Sequence, residues 1–136
     1  MFSLNKDLID HYLEKSENKI KAAELLFENG FYNDCISRCY YSMFWAAKAL
    51  LLIKGLNVKT HKGLITRFGL DFVKEGYIGK VQGKALRIAK EDREAADYEV
   101  DINYNSSDAQ KSIEKAKDFH EKVKKVIKTM IQEQKE

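Results

Sequence analysis

The chain has 136 residues, 44% hydrophobic and 33% charged, with a net charge of +3 and no proline. That length suits a single domain, residues 1–136, around one core, and the missing proline favours long helices joined by few rigid turns. Nothing in it reads as a membrane span or a secretion signal: the longest uncharged run is Cys39 to Ala47 where spanning needs about twenty residues, and the start, "MFSLNKDLIDHY", has no apolar stretch, so the expected location is the cytoplasm.

From about Leu4 to Glu28, the residues Leu8, Tyr12, Ile20, Ala23 and Phe27 recur at helical spacing between charged positions, and Asn29-Gly30 ends the run. A second helix is expected from about Asn33 to Lys54, capped by Asn33 or Asp34 and stopped by Gly55. Thr60 can cap a third, on which Leu64, Phe68 and Phe72 repeat every fourth residue; Gly69 weakens its middle and Gly76 ends it. A fourth runs from near Ile78 to about Ala96 with Val81, Ala85, Leu86 and Ala89 inward. The stretch "YEVDINYNSS" reads as a loop, since its alternation is too short to demand a strand. Ser106 or Ser107 then caps a last helix with Ile113, Ala116, Phe119, Val123, Val126/Ile127 and Met130 on one stripe, fraying from about residue 131. The fold class is all-α: an up-and-down antiparallel bundle of about five helices with no sheet.

The second helix is apolar nearly all round, which makes it central. Cys35, Cys39, Ala46, Leu50 and Ile53 form one side, and Tyr40, Phe44, Ala47 and Leu51 another. Arg38, Tyr41, Ser42, Trp45 and Lys48 form a third, polar and aromatic. A bundle this small cannot easily cover three faces, so the third is expected at a subunit interface or a cleft. An unpaired buried charge is costly, so Arg38 has a structural partner such as Asp97, faces a ligand phosphate, or is simply exposed. The two cysteines read as small buried hydrophobes in a reducing compartment, because no further ligand completes a metal set. Charge is unevenly spread: residues 54–93 carry ten Lys/Arg against four Asp/Glu, and residues 94–110 carry five acids and no Lys/Arg. The basic segment can attract phosphate, or be a solvated helix surface.

Three stretches in order, "FYNDCISRCYYSMFWAAKALLLIKG", "KTHKGLITRFGLDFVKEG" and "EDREAADYEV", resemble the signature stretches of the HEPN-domain family of small prokaryotic proteins, over about residues 10–128. The resemblance implies a helical bundle that forms a homodimer, with a cleft near the dimer axis. Many HEPN proteins are metal-independent ribonucleases in which an Arg is followed after four to six residues by a His; the Arg holds the scissile phosphate and the His moves a proton. Some work with a small nucleotidyltransferase as a toxin–antitoxin couple, and in some couples the partner adenylylates a HEPN tyrosine. This chain departs from the nuclease pattern. The permitted positions after Arg38 hold Met43, Phe44 and Trp45, where relatives often carry His at the last. Those after Arg67 hold Phe72, Val73 and Lys74; after Arg87, Asp92, Arg93 and Glu94; after Arg93, Tyr98, Glu99 and Val100. None is His.

His61 is the best remaining proton carrier, in a "TH-x-GL" stretch that matches the family's. A helix start lowers a histidine's pKa and leaves N–H groups free for an anion; packing or capping at that turn is the simpler alternative. Arg93 and Asp97 stand one helical turn apart with Tyr98 beside them, as a structural network or a ligand-facing one. The candidates for catalysis are His61, Arg38 and Arg93; those for ligand binding are Arg38, Tyr41, His61, Arg93, Asp97 and Tyr98. His11 and His120 are expected at the surface or half-buried. No metal or cofactor is expected: three residues before His11, His61 and His120 stand Leu8, Val58 and Lys117, so no Glu-x-x-His pair exists, and no phosphate-binding glycine loop occurs. The function expected is binding of a nucleotide or RNA phosphate, alongside a homodimer partner and a small nucleotidyltransferase, without a membrane. A ribonuclease with a non-standard site and a non-catalytic interaction module are the alternatives.

Overall fold

Gly30 and Gly55 adopt φ angles of 79° and 73°, a region that side chains with a Cβ rarely enter, and the chain reverses at both. In the structure, a computed structural model that describes residues 2–135, they follow α1 (Phe2–Glu28) and α2 (Tyr32–Ile53). Three further helices complete an all-α bundle: α3 (His61–Phe68), α4 (Lys80–Tyr98) and α5 (Ser106–Lys135). No strand occurs among the described residues.

The helix expected at its centre is central. Fourteen of the 22 residues of α2 are buried, and it packs against α1, α4 and α5. Cys35, Tyr40, Ala46, Leu50 and Leu51 have no exposed surface. They meet Ile20 and Ala23 of α1, and Ala116, Phe119 and Val123 of α5, in one apolar cluster. Burying an aliphatic or aromatic side chain contributes about 1.5–3 kcal/mol, so this cluster outweighs any capping effect. Beyond α3 the helix continues in a π turn over Gly69–Val73, closed by the Lys74 N–H donating to the Gly69 carbonyl at 2.8 Å. Leu64, Phe68 and Phe72, the every-fourth-residue series, are all buried.

Several local readings shift. On α1 it is Ile9, 2% exposed, that packs inward, while Leu8 is exposed; the buried stripe passes through Ser16. Helix α2 begins before Asn33, at Tyr32, because Asn33 has another task. Its side-chain amide donates to the carbonyls of Ala96 and Ile102 at 3.4 and 3.0 Å, and its oxygen accepts from the Tyr104 N–H at 2.9 Å. One asparagine thus holds the loop between α4 and α5. The cap of α5 is Asn105, one residue before the predicted serines: Asn105 and Asp108 exchange reciprocal hydrogen bonds at 3.0 and 2.9 Å. Val81 is 73% exposed; in the first turn of α4 it is Gln82, 7% exposed, that faces inward. Helix α5 runs on through the residues expected to fray. His120 is buried, not peripheral: its Nδ1 lies 2.8 Å from the Ser16 hydroxyl, which also donates to the Ser42 carbonyl at 2.7 Å.

Candidate functional site

Where α2, α3 and α4 meet, five of the six ligand-binding candidates come together. Thr60 starts α3 in extended backbone, and its hydroxyl accepts from the Gly63 N–H at 3.0 Å. This fixes the first turn and aims His61 at α2. There the Tyr40 hydroxyl lies 2.6 Å from His61 Nδ1. Burial, the largest influence, pushes the Tyr40 hydroxyl pKa up, so Tyr40 keeps its proton. That proton has no other acceptor among the described residues, and a buried donor left unpaired is costly. Tyr40 therefore donates to Nδ1, and the His61 proton sits on Nε2. Burial first, then Arg93 and Lys90, lower the His61 pKa. The ring is a neutral imidazole that offers one N–H donor, packed against Phe44 at 4.6 Å between ring centres and against Tyr41 at 6.0 Å.

Arg93 enters from α4 and is only 9% exposed. Its guanidinium carbon lies 5.5 Å from the ring centres of both Tyr40 and Tyr41 and 5.9 Å from that of Tyr98. Three tyrosine faces stabilise the cation by cation–π attraction. Asp97, one turn along, stands 3.7 Å from its terminal nitrogen and accepts from the Ser37 hydroxyl at 3.1 Å. The buried Arg93 Nε has no partner among the described residues. Glu91, Glu94 and Glu99 rim a shallow depression in front of Arg93 and Tyr98; Lys90 binds Glu94 at 2.6 Å and holds its carboxyl below the usual range.

Arg38 stands apart from this cluster: of its three readings, a structural pair, a phosphate-facing role and ordinary exposure, the pair with Asp97 is absent and the side chain is exposed on the outer face of α2. Asp97 is engaged by Arg93 and Ser37 instead. The physical reason is rotation: Ser37 and Cys39 face inward and carry Arg38, between them, outward. The buried guanidinium belongs to Arg93. Tyr40 is the residue that sequence reasoning misses at the site: its spacing puts it in the core, and nothing in the sequence ties it to His61 across 21 positions.

One turn further along α2, Trp45 is half-buried. It stands 5.4 Å from the ring of Tyr12 on α1 and edge-on to Phe44 at 5.3 Å. Lys15 and Lys48 place their ammonium groups 4.7 and 5.5 Å from its ring centre. On the opposite flank, α4 and α5 leave a groove floored by Ile36, Met43, Ile88 and Ala89, with Asp92 and Lys115 at its edge. Among the described residues no group of acids, histidines or cysteines is arranged to hold a metal, and no helix is long and apolar enough to cross a membrane.

The sequence profile of the HEPN domain matches residues 9–126. The chain belongs to the HEPN family. Among its relatives are two proteins of Methanocaldococcus jannaschii. The one named "Putative toxin MJ0605" is 41% identical over 131 residues, covering 94% of this chain and 97% of the relative. The one named "Putative toxin MJ0142" is 34% identical, covering 88% and 81%. A solved structure, TT1696 from Thermus thermophilus, superposes with a TM-score of 0.75 at 15% identity, covering 87% of this chain and 97% of that one. That level of identity carries the HEPN fold alone. The three stretches that suggested the family lie within the matched region, and the polar cluster is built from them: Tyr40 and Tyr41 from the first, His61 from the second, Arg93, Asp97 and Tyr98 from the third.

Proposed function

We propose that this HEPN protein is toxin-like and binds a phosphate of a nucleotide or RNA at the cluster of His61, Arg93 and Tyr41, with no His placed after an Arg to cleave it in the usual HEPN manner. The observation that carries this reading is the Arg93 guanidinium: caged by tyrosine rings, with a buried nitrogen lacking a partner and a carboxylate only at 3.7 Å. A charge-assisted bond to a carboxylate is normally about 2.7–2.9 Å, so Asp97 leaves acceptor demand unmet. His61 adds its Nε2–H beside it. The acids around the depression at Arg93 and Tyr98 repel an anion, so binding depends on direct bonds to the guanidinium.

The hydrogen bond from Tyr40 weighs against His61 as a general base, since the nitrogen that would take a proton is already an acceptor. Binding is therefore favoured over ribonuclease chemistry. The names of the two Methanocaldococcus relatives support a toxin-like role, and the family resemblance adds a homodimer and a small nucleotidyltransferase partner to the reading.

The test is titration of ATP and a short RNA into wild type and Arg93→Gln, with RNA integrity followed in EDTA. Saturable binding that Arg93→Gln abolishes, with intact RNA, is the expected result. No binding of either ligand at tens of micromolar would remove the phosphate reading, and cleavage in EDTA leaving cyclic-phosphate ends would replace it with the nuclease.

A further inference from the structure

We infer that Trp45, flanked by Tyr12, Lys15 and Lys48, is a platform on which one unpaired base of single-stranded RNA stacks, next to the phosphate cluster; this rests on the phosphate reading and extends it.

Trp45 occupies an unusual place. It lies on the most buried helix, yet it is itself only half-buried. Phe44 meets it edge-on at 87° and Tyr12 lies tilted at 38°, so the indole is held from two sides. Ring contacts rather than ion pairs hold the lysines around it. Lys15, Lys48 and the exposed Arg38 have no carboxylate partner among the described residues. Lys48 spreads over three rings, those of Tyr12, Phe44 and Trp45, at 5.5, 5.9 and 5.5 Å. Cations held by rings alone can swing to a phosphate while a base takes their place on the ring.

The platform is continuous with the cluster. Phe44 touches both Trp45 and His61. Tyr41 and Trp45 are four residues apart, about 6 Å along the helix, and Arg38 to Lys48 spans about 15 Å at 1.5 Å per residue. Aromatic faces interleaved with basic side chains along such a track are the physical requirements for single-stranded nucleic acid, whose bases are free to stack. A duplex keeps its bases inside and meets proteins through its backbone, so it would leave Trp45 untouched. ATP alone satisfies the cluster without needing Lys15. A second copy of the chain is a poorer occupant: a symmetric contact centred here would set Lys15 and Lys48 against the same lysines.

Trp45 is the only tryptophan, so its emission reports this place alone. The experiment titrates a short oligouridylate, an RNA duplex and ATP into wild type while following that emission. Binding of the same ligands is then measured for Trp45→Ala, Trp45→Phe and Arg93→Gln, with circular dichroism checking the fold. The single strand is expected to quench Trp45 and the duplex to leave it unchanged. Trp45→Ala should weaken oligouridylate binding by about tenfold or more and leave ATP binding intact, while Trp45→Phe keeps most of the affinity. Three results would overturn the platform alone: unchanged oligouridylate affinity in Trp45→Ala while Arg93→Gln still loses it, equal quenching by duplex, or emission that shifts with protein concentration and ignores RNA. A wild type that binds neither ATP nor RNA would instead remove the phosphate reading beneath it.

Discussion

Replacing Ser16 by Ala removes one oxygen from the interior, and the structure allows the consequence to be worked out. The Ser16 hydroxyl, with no exposed surface, contacts the Ser42 carbonyl at 2.7 Å, the Ser42 hydroxyl at 3.1 Å and His120 Nδ1 at 2.8 Å. A hydrogen bond contributes a net of about 1 kcal/mol, but orphaning a buried polar group costs about 1–3 kcal/mol. His120 Nδ1 loses its partner, whereas the Ser42 carbonyl remains inside its helix. The expected loss is about 2–3 kcal/mol, a large share of a total that for such domains is about 5–15 kcal/mol. At about 4 °C per kcal/mol for a chain of this size, the melting temperature should fall by about 8–12 °C. Urea unfolding should show a lower midpoint with an unchanged slope. Combining Ser16→Ala with His120→Phe should cost less than the sum of the two, because neither partner is then orphaned. A Ser16→Ala variant within about 0.5 kcal/mol of wild type, the usual scatter of a neutral surface change, would refute the reasoning, as would strict additivity.

Acid should destabilise the protein in a defined window. Burial, the first cause for both, holds His61 and His120 below their ordinary value of 6.5 in the folded state. The unfolded chain therefore takes up protons first, and stability is complete above 6.5 and declines as pH falls below it; urea midpoints that stay flat there would contradict this. Asn33→Ala should free the loop between α4 and α5, costing about 1–3 kcal/mol through its lost bonds and accelerating hydrogen exchange at the Tyr104 amide. Thr60→Ala should cost about 1 kcal/mol and loosen the contact from His61 to Tyr40, readable as a rise in the His61 pKa by nuclear magnetic resonance, while Thr60→Ser restores it.

The helices are legible in the sequence because their causes are local. Apolar spacing and glycine stops act within a few residues, and the all-round apolarity of the second helix marks it as the centre. The same logic leaves Arg38 open. Spacing defines its stripe but not the rotation of α2, and a rotation of a fraction of a turn decides whether a side chain faces acid, ligand or water. At His120 it fails: its stripe looks polar from α5 alone, and only the hydroxyl of Ser16, 104 residues away, makes an interior histidine acceptable. Asn33 reads as a cap because asparagine before a helix usually is one; its bonds to a loop far along the chain leave no local trace. Within the polar cluster, Arg93, Asp97 and Tyr98 are visible as a motif, whereas the tautomer of His61 depends on Tyr40, which only the tertiary structure supplies.

Cys35 and Cys39 sit on α2 with 0% and 2% exposure, and hydrogen bonding to Cys35, then burial, push the Cys39 thiol up. Cys39 lines the groove between α4 and α5, whereas an alkylating reagent meets Cys35 only after the neighbouring helices have come away, since α1, α4 and α5 all pack on α2. Cys35 is thus a built-in clock: the rate of its capture in native buffer measures how often the bundle opens, and a ligand that tightens the bundle should slow it.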